Sequence, residues 1–156
     1  MRKTTLIVPF AMLVACGTSA TPREIMDRAA TQACEKAFEC RDTFPNVGIA
    51  FESIYGASVE ACIPRFAAAL DADAVVAGVE AGTIVFRGSD ADECLDAQAD
   101  LTCDQLWSSD EPAAPAACDT AFEGTLELGE TCAHDLECAD EGAYCDGDAV
   151  CTAQAS

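Results

Sequence analysis

The sequence predicts a mainly α, disulfide-stapled helical domain followed by a small disulfide-rich module with little regular structure. Three observations carry this. From about residue 21 to residue 107, apolar side chains recur at helical spacing between hydroxyl starts and glycine stops. Ten cysteines follow position 16, an even set that can close five bridges. The last stretch carries four cysteines separated by five, six and five residues with almost nothing to bury, so its bridges must hold it.

Length and composition bound the rest. At 156 residues the chain is long enough for one ordinary domain with a small appendage. Its apolar half is rich in alanine, and seven Phe, two Tyr and one Trp leave hydrophobic burial thin without cross-links. Eleven cysteines suggest an oxidising compartment. No Cys-x-x-Cys occurs, which removes the usual oxidoreductase dithiol and the paired zinc knuckle. The net charge is −20, and loss of Arg2 and Lys3 with a leader makes it −22. Such a surface repels phosphate backbones, so nucleic acid is excluded as a partner, and no cofactor or metal is expected.

The elements follow in order. Met1-Arg2-Lys3 is a positive start, and the twelve uncharged residues from Thr4 to Ala15 would rise only about 18 Å as a helix, too short for a bilayer core of about 30 Å. This reads as a signal segment over residues 1–15. Leu13-Val14-Ala15-Cys16-Gly17 at its end resembles the lipobox of bacterial lipoproteins. The resemblance implies cleavage before Cys16, lipid on its thiol, and stable anchoring by two or more acyl chains. Gly17, with no Asp after the anchor, resembles an outer-membrane sorting signal. Residues 16–21 would then be the tether, and the location a cell envelope.

Thr21-Pro22 with Glu24 is a capping-box start for a helix from about Pro22 to Cys40, with Ile25, Ala29, Ala33, Ala37 and Phe38 at helical spacing. Cys34 and Cys40, six apart, lie about 9 Å apart along such a helix and roughly 120° around it. They cannot pair with each other, so each must reach elsewhere. Phe44-Pro45-Asn46 breaks the pattern. Val47 to Tyr55 is a packing segment or short helix closed by Gly56.

Ser58 caps a second helix to about Leu70, with Val59, Cys62, Phe66 and Ala69 on one face and Pro64 as a possible kink. Asp71 to Ala81 is a further short helix stopped by Gly82, and Thr83 to Phe86 is the one strand-like run, in need of a partner. Ser89 with Asp92 opens a helix to about Leu101 that carries Cys94 and leads to Cys103. The helical domain is thus 22–107.

Residues 108–127 read as linker, proline- and alanine-rich at first, with Cys118 tied back to the helical domain. From Gly88 onward there are 18 acidic residues and no Lys or Arg. The module 128–156 holds Cys132, Cys138, Cys145 and Cys151. Four cysteines allow three connectivities, of which Cys132–Cys145 with Cys138–Cys151 is favoured. The six in the helical part allow fifteen.

Two further resemblances bear on architecture. Gly129 to Cys132, Asp135 to Cys138, and Gly142-Ala143-Tyr144-Cys145 are similar to half of a Dickkopf-type cysteine-rich repeat, which implies a shape over about thirty residues. The order of lipobox, Tyr55-Gly56 with Ser58 and Cys62, Cys94-Leu95-Asp96-Ala97 with Cys103, and the Gly129–Cys151 knob resembles the cysteine-rich lipoproteins of myxobacteria. That likeness implies location and plan, and no reaction.

Chemistry has few candidates. His134 is the single histidine, and its module offers no oxyanion loop or deep core to orient a base, so it reads as a loop residue. Carboxylates are too many for any pair to stand out as glycosidase machinery. Asp71 with Asp73, Asp90 with Asp92 and Glu93, and Asp146 with Asp148 could offer oxygen ligands to calcium, though none forms an EF-hand. The expectation is a non-enzymatic, membrane-anchored surface lipoprotein that binds an extracellular or periplasmic protein or glycan, or serves envelope structure. The alternatives are an inhibitor or accessory protein of a secreted hydrolase and, behind it, a calcium-dependent adhesion module or a hydrolase.

Overall fold

The capping box at Thr21 is formed as written: its side chain accepts from the Glu24 amide and the Glu24 carboxylate reaches back to the Thr21 N–H. It starts α1 (Pro22–Glu39) in a computed structural model that describes residues 20–45, 48–108 and 115–154. The expected signal segment, Cys16 and most of the proline-rich stretch fall outside these residues. The remaining elements are α2 (Phe51–Tyr55), α3 (Val59–Leu70), α4 (Ala72–Ala81), β1 (Ile84–Phe86), α5 (Gly88–Ala99), α6 (Cys103–Leu106), α7 (Ala116–Ala121), β2 (Phe122–Gly124), β3 (Ala143–Cys145) and β4 (Cys151–Ala153). Single turns of 3-10 helix lie at Arg41–Thr43 and Asp135–Glu137. The chain is mainly α and disulfide-stapled, as its sequence predicts.

The helix α1 is the spine, packed on α3, α4 and α5. Its buried stripe is Ile25, Met26, Ala30, Cys34 and Ala37, so the inward face is turned from the Ala29–Ala33 line toward Met26 and Cys34. Two of its cysteines explain that rotation: Cys34 bridges to Cys62 on α3, and Cys40 at the helix end bridges to Cys103 at the start of α6. A third bridge, Cys94–Cys118, joins α5 to α7. All three pairs lie 4.8–5.8 Å apart at Cα, within ordinary disulfide range.

Two hydrophobic clusters flank α1. One gathers Ile25, Ala91, Leu95 and Ala121 with Phe86 and Phe122 packed on it. The other gathers Met26, Val75 and Ile84. Ion pairs cross between elements on the surface, Arg23 to Asp73 and Arg28 to Asp92 at 2.6 Å. The second, half-exposed pair contributes at most about 1 kcal/mol, and the first, with Asp73 almost fully exposed, less.

Several local expectations change. Ser89 is not a helix cap: its hydroxyl donates to Asp90, Arg87 occupies the cap position, and Asp92 is drawn to Arg28. The helix α5 stops at Ala99, and Thr102 with Gln105 forms a second capping box that starts α6. Pro64 sits within α3 without ending it, and Ala69 is exposed. The strand-like run finds its partner in residues read as linker: β1 pairs antiparallel with β2, Ile84 opposite Gly124 and Phe86 opposite Phe122. Residues 116–124 therefore belong to the helical body.

The knob beyond residue 127 is a β3–β4 hairpin, with Cys145 opposite Cys151, stapled by Cys132–Cys145 and Cys138–Cys151. It is docked on the body. Leu136 packs on the Met26–Val75–Ile84 cluster, and the Leu126 amide donates to the Glu137 carbonyl at 2.9 Å. Gly124 makes the approach possible, because a Cβ there would lie 2.4 Å from the Cys138 carbonyl oxygen.

Candidate functional site

The expected site residues resolve into structural roles. Every cysteine from Cys34 to Cys151 is in a bridge. The closest thiol cluster, Cys132, Cys138 and Cys151, consists of bridged sulfurs, which are spent as metal ligands.

His134 starts the 3-10 turn in the knob. Its Nδ1 accepts from the Leu136 amide at 3.1 Å, and its own N–H donates to Glu137. A ring nitrogen bound to backbone in this way orients a turn and does not serve as a base.

Glu137 is the one buried charged residue among the described residues, at 7% exposure. Its carboxylate accepts from the Thr83 hydroxyl at 2.6 Å and from the Ala133 and His134 amides. Burial pushes its pKa up, but these donors and the neighbouring His134 outweigh that and hold it below the ordinary carboxylate range. It is a clasp between knob and body.

Of the carboxylates considered for calcium, Asp71, Asp73, Asp90, Asp92 and Asp146 accept from protein donors. Asp71 caps α4 through the Ala74 amide, and Asp73 meets Arg23. Asp90 accepts from Thr120 at 2.7 Å and from Ser89, which lower its pKa, while Asp92 pairs with Arg28. Asp146 accepts from the Thr152 hydroxyl at 2.8 Å and from the Val150 and Asp148 amides, which hold it below its usual range. Among the described residues no three carboxylates converge on one point.

What the sequence reading missed is a concave feature at the other end of the body. Six aromatic rings meet there. Phe44 lies edge-on to Phe51 at 5.4 Å, to Trp107 at 5.2 Å and to Tyr55 at 6.2 Å, while Phe38 packs edge-on to Phe51. Tyr55 stacks between Phe51 at 4.6 Å and Phe66 at 5.7 Å. The Trp107 indole N–H donates to the Cys40 carbonyl at 3.0 Å, so the Cys40–Cys103 bridge and the ring cluster fix one another.

Beside this cluster, α1, α2, α3, α5 and α6 leave a half-open cleft of about 280 Å³. Tyr55, Phe66, Leu101 and Leu106 supply much of its apolar wall. Gln32, Gln98 and Lys36 supply its polar groups. Gln32 donates to the Leu95 carbonyl at 2.8 Å, which leaves its Oε1 as an acceptor. Burial raises the pKa of the Tyr55 hydroxyl. The arrangement has shape, rings and one cation, and no paired acid and base. It can bind.

No protein-family model, curated protein or solved structure matches this chain. Among the described residues no helix is long and apolar enough to cross a membrane. One signal for the ring cluster was in the sequence: Phe38, Phe44, Phe51, Tyr55 and Phe66 put half of the ten aromatics into 29 residues.

Proposed function

We propose that this chain is a non-enzymatic lipoprotein, exported, cut before Cys16 and tethered by lipid on that cysteine, which displays the bridged body and knob as a binding module of a cell envelope, at an outer membrane. The observation that carries the reading is cysteine arithmetic. The ten cysteines from Cys34 to Cys151 pair among themselves, so none is left to bridge Cys16, the residue on which the lipobox-like Leu13–Gly17 stretch ends. An odd thiol in an oxidised, exported chain calls for a separate fate, and acylation is the fate that the flanking residues suggest.

Mass spectrometry of protein purified from membranes without reductant, before and after alkylation, tests this. The expected species begins at Cys16, carries acyl mass and resists alkylation at all other cysteines. Cys16→Ser is expected to release the protein from the membrane fraction. A native chain that retains residues 1–15, carries no lipid on Cys16 or leaves the membrane on mild salt washing would overturn the reading.

A further inference from the structure

Acidic residues outnumber basic ones 28 to 8 in this chain, yet the lining of the cleft beside Tyr55 contains one lysine and no acid. Lys36 extends along that wall with its side chain only 15% exposed, and its Nζ reaches Glu39 at 3.1 Å. Glu39 itself is 65% exposed, so its pairing with Lys36 is a surface contact that a better-placed anion can replace. The rest of the lining is mostly apolar: Ala33, Ala37, Leu101 and Leu106, with the Tyr55 and Phe66 rings.

The volume matches one aromatic ring or a short branched chain with its polar end, and lies just below the usual range of small-molecule sites. A water-filled cleft of this kind gains by burying an apolar group, and a low-dielectric wall strengthens a charge-assisted hydrogen bond to Lys36. A cationic ligand would meet Lys36 head-on, and a strongly polar one would waste the apolar walls.

We infer that this cleft binds a small apolar carboxylate, an arylalkanoic or branched aliphatic acid or the carboxyl-terminal residue of a peptide, with the carboxylate on Lys36 Nζ and the apolar group against Tyr55, Phe66, Leu101 and Leu106. Gln32 and Gln98 also line the cleft, and the amide oxygen of either can accept from an N–H next to the carboxylate. This ligand class rests on the reading of the chain as a binding module.

The sole tryptophan reports on the site, because the Trp107 ring lies 5.9 Å from Tyr55. The exported chain, purified with its bridges intact, is titrated with 3-phenylpropionate, N-acetylphenylalanine, a tripeptide ending in phenylalanine and, as neutral control, 3-phenylpropanol, with Trp107 emission as readout. The acids are expected to saturate, and the alcohol to bind about tenfold more weakly, the discrimination one charge-assisted contact supplies. Tighter binding of the tripeptide than of the free acids would assign the source as a peptide terminus, and the reverse order a free acid.

Lys36→Gln is expected to remove the acid preference while leaving 3-phenylpropanol binding and the far-ultraviolet spectrum unchanged, and Lys36→Arg to restore much of it. Equal affinity of acid and alcohol, an unchanged acid preference in Lys36→Gln, or no saturable response to any acid would overturn the inference. None of these outcomes bears on Cys16, whose lipid is read separately by mass.

Discussion

The clasp at Glu137 allows a quantitative test of how the knob is held. Glu137→Ala removes the acceptor for the Thr83 hydroxyl and for the Ala133 and His134 amides, three donors to one buried carboxylate. Only the Thr83 hydroxyl lies on the body, and a net hydrogen bond to a charged group contributes about 2 kcal/mol, so opening of the junction should become easier by about that much, while the two amide bonds lie within the knob and persist when it opens. Glu137→Gln keeps an oxygen but turns an amino group toward the donors, and is expected to cost about half as much.

Hydrogen exchange at the junction is the assay. The Leu126 amide donates to the Glu137 carbonyl and the Ala139 amide to the Leu126 carbonyl, so both report opening between knob and body. A loss of about 2 kcal/mol corresponds to exchange roughly thirtyfold faster in Glu137→Ala if the knob opens as a unit. The bridges keep the knob itself folded in both variants.

Acid should act through the same group. Its folded pKa lies below the ordinary 4.5, so its contribution is present in full above that value and is lost as the pH falls through the lowered folded pKa. Junction amides of the wild type should therefore open in acid, and those of Glu137→Gln should show a flatter pH response. An increase in exchange below about threefold in Glu137→Ala, or identical acid profiles in wild type and Glu137→Gln, would refute the clasp.

Other expectations concern the staples, the close approach and metal. Removing Cys40–Cys103, which closes 63 residues, should cost about 4 kcal/mol in urea unfolding, against about 3 for either knob bridge across 13 residues. An equal or reversed order would show that chain entropy is not what the bridges restrict. Gly124→Ala should lower stability by about 3 kcal/mol, since its Cβ would meet the Cys138 backbone rather than a side chain that can swing away; a change in thermal midpoint too small to measure would count against the docked arrangement. Calcium at about 1 mM should shift the melting midpoint by less than about 1 °C, because Asp146, Asp90 and Asp71 already accept from protein donors. A saturable stabilisation removed by chelator would contradict this.

Local signals in the sequence translated well where one or two neighbouring side chains decide the backbone. The Thr21–Glu24 box, the Ser58 cap and the Gly56 and Gly82 stops mark element ends that the structure shares. Ser89 and Asp92 satisfied the same pattern and formed no cap, because Asp92 finds Arg28 on another helix 64 residues away. The inward face of α1 was misjudged by about one position because cysteines weigh little in an apolar stripe, yet Cys34 is wholly buried on its bridge to Cys62. The cleft was out of reach for a different reason. Its walls come from five helices, and a concavity has no periodicity along the chain.

By itself, then, the sequence determined the helical class, the even set of cysteines beyond Cys16, the impossibility of a Cys34–Cys40 bridge and the acidic surface, since each follows from composition or from the fixed geometry of one helix. The knob pairing of Cys132 with Cys145 and Cys138 with Cys151 is the one the sequence favours, whereas tertiary structure alone decided which of the other six cysteines meets which, that β2 pairs with β1 from within a stretch that reads as linker, and that a buried Glu137 ties the knob to Thr83. It alone also left Lys36 facing a cleft without acids in a chain that is mostly acidic. These are contacts between residues tens of positions apart, and their energies depend on distances and burial that no local pattern encodes.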